Sequence, residues 1–302
     1  MRIAITGSSG LVGSALVAHL RTAGHDVLRL VRRAPNGGGE VRWDPAAGQL
    51  DPAALAGVDA VVNLAGAGIG DHRWTDDYKQ ELRDSRLATT SLLARTIAGL
   101  DVRPSVLLSG SAIGWYGDRG DDVVDERSAP GDGFLAELCR EWEAATKPAE
   151  GAGVRVAHLR TGIVLSAEGG ALKKQLPLFK FGLGGKMGSG RQWSSWISID
   201  DEVGAITHLL TANVEGPVNL TAPNPVQNAE FTRELARALG RPSFFPIPSF
   251  GPKALLGGEL AEALLFTGQR VVPTVLSGSG YEFRHETLSV ALPELLERPR
   301  AS

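Results

Sequence analysis

A single cysteine, Cys139, is present in the 302 residues, which excludes a disulfide framework and a multi-cysteine metal centre. It falls in a segment of helical pattern and reads as a small buried hydrophobe, not a nucleophile. Histidine is also scarce. The six imidazoles, at 19, 25, 72, 158, 208 and 285, include no i, i+4 pair to set two ring nitrogens on one helical face, so no metal is expected. Long apolar runs are missing. Nothing approaches the roughly 18 residues of a spanning helix, and Met1-Arg2-Ile3-Ala4-Ile5-Thr6-Gly7 is too short an apolar stretch for a signal peptide. No block of one charge sign occurs either. With 31 Lys and Arg against 34 Asp and Glu, a net charge of -3 and a pI near 6.1, the chain carries no footprint for nucleic acid or an anionic membrane. These absences leave a cytoplasmic protein, monomer or homodimer, with a small molecule as its expected partner.

What is present is alternation. Short apolar runs near 1–6, 27–31, 59–64, 105–109 and 154–159 read as strands. Helical patterns near 11–23, 75–99 and 133–152 lie between them, and this order predicts βαβ units on a parallel sheet. In the first helix Leu11, Val12, Ala15, Leu16 and Leu20 share one side, which faces the sheet. The expected fold is α/β, a doubly wound parallel sheet of Rossmann type. Residues 1–160 form its core, with parts of 195–225 returning to it, and 161–302 form mainly a smaller substrate lobe. That second part is rich in Gly and Pro, as in Phe181-Gly182-Leu183-Gly184-Gly185 and Pro246-Ile247-Pro248. Its helical stretches fall near 200–212, 228–239 and 285–297.

Thr6-Gly7-Ser8-Ser9-Gly10-Leu11-Val12-Gly13 closes the first strand and opens the first helix. Gly7 permits the tight turn, Gly10 lets backbone amides approach a pyrophosphate, and Gly13 lets helix and strand pack closely. The helix N-terminus then offers free N–H groups and a positive dipole end to a dinucleotide. A fold preferring NAD usually places a carboxylate about 20 residues on, to bind the ribose hydroxyls. Here the second strand ends Leu30-Val31-Arg32-Arg33. Two guanidinium groups and no carboxylate stand at that end, which fits the 2′-phosphate of NADP(H).

Together with Val61-Val62-Asn63-Leu64-Ala65-Gly66, the turn resembles extended short-chain dehydrogenase/reductases, the epimerase and dehydratase group. Trp74, Ser85-Arg86, Gly114-Trp115-Tyr116-Gly117, Trp142-Glu143 and Gly188-Ser189-Gly190-Arg191-Gln192-Trp193-Ser194-Ser195-Trp196-Ile197 are similar to an atypical "epimerase family" branch. In that branch a C-terminal domain of unknown function follows, matched here at about 250–299. The resemblance implies that Gly7, Ser8, Gly10, Leu11, Val12 and Gly13 cradle the pyrophosphate, Arg32 the 2′-phosphate, and Leu64, Ala65 and Gly66 the adenosine side. It places Arg86 within reach of the cofactor phosphates or nicotinamide ribose, with Glu81 five residues earlier. The alternative for Glu81 and Arg86 is an ordinary exposed pair of charges.

Two departures from the larger family bear on chemistry. Its standard members use Ser or Thr with a Tyr and a Lys four residues apart on a helix. Ser111 survives, just past the predicted strand end, where its hydroxyl can orient a substrate oxygen. The helix that should carry the other two reads Gly133-Phe134-Leu135-Ala136-Glu137-Leu138-Cys139-Arg140-Glu141-Trp142-Glu143, with neither residue. Tyr116 stands nearby as a proton donor or, equally, an aromatic wall, and without a neighbouring cation a tyrosine titrates near 10. Second, Gly188-x-Gly190-x-Gln192 is followed by Ser194, where many sugar-nucleotide epimerases hold a diphosphate-gripping Arg. The expected function is an NADP(H)-dependent oxidoreductase or epimerase-like enzyme acting on a small carbonyl, alcohol or sugar-like substrate. The Trp193–Trp196 stretch is a candidate pocket. The alternative is an NADP(H)-binding sensor or interaction protein with little turnover.

Overall fold

The structure, a computed structural model, describes residues 1–243 and 246–297. In chain order the first half holds β1 (Arg2–Thr6), α1 (Leu11–Thr22), β2 (Asp26–Val31), β3 (Glu40–Arg42), β4 (Ala60–Asn63), α2 (Asp76–Ala98), β5 (Val106–Ala112), β6 (Val123–Val124), α3 (Phe134–Ala144), α4 (Lys147–Gly151) and β7 (Arg155–Thr161). Then come β8 (Ile163–Leu165), α5 (Gly170–Lys180), β9 (Trp193–Ser194), β10 (Trp196–Ser198), α6 (Ile199–Leu209), β11 (Gly216–Leu220), β12 (Val226–Gln227) and α7 (Asn228–Ala238). The described chain ends with α8 (Phe250–Leu256), α9 (Gly258–Ala261), β13 (Arg270–Val271), α10 (Thr274–Gly278) and α11 (Leu288–Glu297).

Seven of these strands form one sheet in the order β11-β7-β5-β4-β1-β2-β3, and all its neighbours are parallel. The strand order reverses between β1 and β4, the topological switch point at which doubly wound sheets hold ligands beyond the strand ends. Apolar residues on both strand faces explain the burial on both sides. Ile3, Ile5, Val62, Leu108 and Leu159 meet α1 and α6 through Leu16, Leu20 and Ile206. Ala4, Leu30, Val61, Leu107 and Val156 face the other way, toward Leu93 and Ile97 of α2. A separate core of Leu172, Phe179, Trp196, Phe231, Leu235 and Leu292 builds the second lobe.

Three departures from the sequence reading have physical causes. The helical pattern over 133–152 divides into α3 and α4, because Pro148 at the start of α4 brings no N–H and would clash with a preceding carbonyl in a continuous helix. At the break Thr146 Oγ1 lies 2.7 Å from the Glu143 carbonyl and 2.6 Å from Glu150 Oε1, two acceptors for its one proton. Strands β5 and β7 run on to Ala112 and Thr161, since each continues to find hydrogen-bond partners in its neighbour as far as the Ala112–Thr161 pairing. The final helix begins at Leu288, not near 285, and the last residues of the stretch expected at about 250–299 lie outside the described residues.

The C-terminal segment is fastened to α6 by one carboxylate. Asp201, fully buried, accepts hydrogen bonds from the Tyr281 hydroxyl at 3.0 Å and from the amides of Arg284 and His285 at 2.7 and 2.9 Å. Ser198 Oγ caps α6 by accepting from the Asp201 amide, donates to Asp201 Oδ2, and lies 2.8 Å from His285 Nδ1.

Candidate functional site

Gly7, at φ +64°, turns the chain out of β1, and the Gly10 amide donates to its carbonyl at 2.9 Å to close the loop. A Cβ on Gly7 would lie 2.5 Å from the Leu64 carbonyl oxygen, and one on Gly13 2.2 Å from the Gly7 oxygen. Backbone therefore fills both places, as the two glycine spacings require. Gly10 differs: its nearest neighbour to a Cβ is the Gly7 oxygen at 3.3 Å, so the space it opens lies toward the outside. Gly10 is also the N-cap of α1 and supplies no side-chain cap. The first amides of the helix, including Leu11, Val12 and Gly13, thus have no acceptor within the helix and face the gap with its positive end. A pyrophosphate fits this cradle. Behind it Thr6 Oγ1 donates to Asn63 Oδ1 at 2.7 Å and accepts from the amides of Leu64 and Ala65, locking the ends of β1 and β4 together.

Beyond the cradle Arg32 is exposed and, among the described residues, makes no hydrogen bond or ion pair. The expectation that no carboxylate stands near it is corrected. The parallel pairing of β3 with β2 brings Glu40 beside the arginines. Both Glu40 oxygens accept from Arg33 at 2.7 and 2.6 Å, and Arg29 Nη1 lies 3.1 Å away. Hydrogen bonds from Arg33 and from the Asn36 amide hold the Glu40 carboxyl down at about 2. Arg33 and Arg29 thus share one carboxylate, and Arg29, missed from sequence, also reaches the turn, where its Nε donates to Ser8 Oγ at 3.0 Å.

On the far side of the crevice Gly66 and Arg86 are neighbours, with a Gly66 Cβ position 3.3 Å from Arg86 Cγ. The Arg86 guanidinium stacks 5.0 Å from the Trp142 ring centre and donates to the Leu82 carbonyl at 3.0 Å. It has no carboxylate partner among the described residues, and burial lowers its pKa. Such a cation is poised for an anion. Glu81 is exposed on the same helix, and five residues of helix turn it away from Arg86.

Ser111 lies inside β5, not beyond its end, and is 5% exposed. Its hydroxyl donates to Glu143 Oε1 at 2.7 Å. Arg160 of β7 grips the same carboxylate through Nε and Nη2 at 2.8 and 2.9 Å, stacks 3.9 Å from the Trp115 ring centre, and donates from Nη1 to the Tyr116 hydroxyl at 3.1 Å. Tyr116 in turn donates to Asn219 Oδ1 at 2.7 Å. The proton-donor reading of Tyr116 is thereby corrected. Its side chain is fully buried, its hydroxyl is committed on both sides, and burial pushes its pKa up to about 12. Cys139, also buried, packs under the Ala112 carbonyl, and burial pushes its thiol up to about 11. Glu143 and Arg160 were missed, although a signal existed. Glu143 falls on the helical stripe of Ala136 and Cys139, where a carboxylate has no reason to sit without a buried partner.

The Gly188–Trp196 stretch is mostly structural. Gln192 Nε2 donates to the carbonyls of Met187 and Leu265 at 3.1 and 2.8 Å. Trp196 is a fully buried core residue whose indole donates to the Asn224 carbonyl, which corrects its place in a pocket. Trp193 does line a cavity of about 220 Å³, with Arg191, Asp118, Asp121 and Phe266.

Residues 3–221 match the NAD dependent epimerase/dehydratase family, and 247–295 match a domain of unknown function, DUF1731. An epimerase family protein of Mycobacterium bovis is 50% identical over 98% of both chains. A human epimerase family protein solved with NADPH is 37% identical, with a TM-score of 0.91 over 99% of this chain and 100% of that one. A nucleoside-diphosphate sugar epimerase structure from Corynebacterium glutamicum is 40% identical, with a TM-score of 0.79 over 98% of this chain and 58% of that one.

Proposed function

Because the chain belongs to the NAD dependent epimerase/dehydratase family, we propose that it is an NADP(H)-dependent oxidoreductase or epimerase-like enzyme acting on a small carbonyl, alcohol or sugar-like substrate. The carrying observation is the pairing of a helix start without a side-chain cap at Gly10 with an Arg32 beyond it that has no partner among the described residues. In this reading Gly7, Ser8, Gly10, Leu11, Val12 and Gly13 hold the pyrophosphate, Arg32 with Arg29 the 2′-phosphate, and Leu64, Ala65 and Gly66 the adenosine side. Arg86 meets the cofactor phosphates or nicotinamide ribose. NADP(H), when bound, supplies or accepts hydride, and Ser111 orients the substrate oxygen at the strand ends. The human relative solved with NADPH supports the cofactor.

A second reading, an NADP(H)-binding sensor or interaction protein, is favoured by one observation. The Ser111 and Tyr116 hydroxyl protons are both given to acceptors inside the protein. Calorimetric titration with NADPH and NADH tests the cofactor, with tighter binding of NADPH expected and equal affinities removing the 2′-phosphate reading. Turnover of NADPH with a panel of small aldehydes and ketones separates enzyme from sensor.

A further inference from the structure

We propose that Glu143, His158 and Glu150 form a proton path joining Ser111 to solvent, in place of the tyrosine and lysine that α3 lacks. The inference rests on the reading of Ser111 as the substrate-facing hydroxyl. Because that hydroxyl donates to Glu143, its oxygen faces a substrate with lone pairs and accepts an alcohol proton. Glu143 Oε2 lies 3.9 Å from His158 Nδ1, and His158 Nε2 lies 3.6 Å from Glu150 Oε1. Thr146 bridges the last step, with Oγ1 3.0 Å from His158 Nε2 and 2.6 Å from Glu150 Oε1. The chain of groups leaves the core at Glu150, whose side chain is 43% exposed.

The 3.9 Å step is longer than a hydrogen bond, and an orphaned group stands beside it. Ser109 pairs with His158 in the register of β5 and β7. Its hydroxyl is fully buried without a partner among the described residues. A water at this place would satisfy Ser109 and bridge Glu143 to His158. The charged groups facing His158 are Glu143 on α3, Glu150 on α4 and Arg160 on its own strand. Burial lowers the imidazole pKa, the two carboxylates raise it, and Arg160 lowers it.

In alcohol oxidation the substrate O–H proton passes to Ser111 Oγ as the serine's own proton passes to Glu143 Oε1. The C–H hydrogen leaves with its electron pair to an oxidised nicotinamide, and the oxygen's electrons form the carbonyl. Glu143 then gives up that proton through His158 to Glu150 and water. Carbonyl reduction runs the same path inward.

The test is histidine side-chain NMR of the full-length protein, free and with NADPH, with His158→Gln assigning the resonance. His158 should titrate with its midpoint below that of an exposed imidazole, because burial disfavours the charged ring. Its midpoint should fall by about one unit in Glu143→Gln and in Glu150→Gln. The second variant is at the surface and keeps its fold even where the first does not. A ring that never titrates, or a midpoint blind to both variants, overturns the path. With aldehydes and ketones as probes, His158→Gln should lower kcat about 10-fold or more and change its pH profile, with the KM for NADPH unchanged. An unchanged profile also overturns it. If the wild-type protein binds NADPH and reduces no probe, the enzyme reading has failed and the NMR result alone decides the path.

Discussion

Ser111 and Arg160, opposite one another in the register of β5 and β7, share one acceptor: Glu143 Oε1 lies 2.7 Å from Ser111 Oγ and 2.8 Å from Arg160 Nε. Glu143 and Arg160 are 8% and 2% exposed, so removing one partner strands a buried charge. Glu143→Leu should destabilise the fold by about 3 to 5 kcal/mol, and Glu143→Leu with Arg160→Met should recover most of that loss. Urea unfolding of the three proteins measures it. A double variant no better than the single one would show that the pair does not act as a unit.

Gly10 and Gly13 should separate binding from folding. Gly10→Val should abolish NADPH binding with a near-normal melting temperature, since the added atoms enter the gap in front of the helix start. Gly13→Ala should cost about 2 kcal/mol or more, because its Cβ would meet the Gly7 oxygen at 2.2 Å and backbone must move. Calorimetry and thermal melts read the two effects.

Around the 2′-phosphate position, Arg32→Ala should narrow the NADPH over NADH preference by about 1.5 to 3 kcal/mol. Glu40→Gln should widen it, by freeing Arg29 and Arg33 from their carboxylate. The Glu40 effect should be flat above about pH 5, because that group is already fully ionised there. A preference that ignores both changes would move the cofactor phosphate elsewhere.

Glu202 predicts a pH dependence of stability. It is 1% exposed, accepts from Thr161 at 2.9 Å through one oxygen, and burial pushes its pKa up to about 8. The native state keeps this proton while the unfolded chain loses it near the ordinary carboxylate value. Between roughly pH 4.5 and 8 the native protein therefore binds more protons, and stability falls by up to about 1.4 kcal/mol per unit as pH rises. Glu202→Gln should flatten that slope in urea melts across the interval.

Common UDP-sugars should be poor substrates. Ser194 stands where a diphosphate-gripping Arg belongs, and no Tyr-x-x-x-Lys supplies the usual base, a loss worth 10²- to 10⁴-fold in typical cases. Interconversion of UDP-glucose and UDP-galactose, assayed with NADP and NAD separately, should stay well below about 1 s⁻¹. Faster turnover would mean that another residue supplies the base.

Local chemistry was legible in the sequence, and long-range pairing was not. Gly7, Gly10 and Gly13 declare themselves because each answers a backbone constraint within a few residues. The runs of β1, β2 and β4 declare themselves because strands buried on both faces are apolar throughout. Glu40 was hidden because β3 has only three residues and no apolar alternation. The partners of Tyr116 lie 103 and 44 residues away, and Gln192 reaches 73 residues to Leu265. No periodicity encodes such pairs. Even so, a carboxylate on the buried stripe of α3 was a visible sign that a cation had to come from elsewhere.

Asp201 carries a consequence for how this chain can be cut and recombined. Its carboxylate lies before the segment that matches the domain of unknown function, yet three of the groups it holds, at Tyr281, Arg284 and His285, lie within that segment. Glu126, from the first half, likewise accepts from the Val275 amide. The C-terminal stretch is thus no detachable cassette: exchanged between relatives it must travel with a compatible α6, and a chain ending near residue 246 would open its own interior to water.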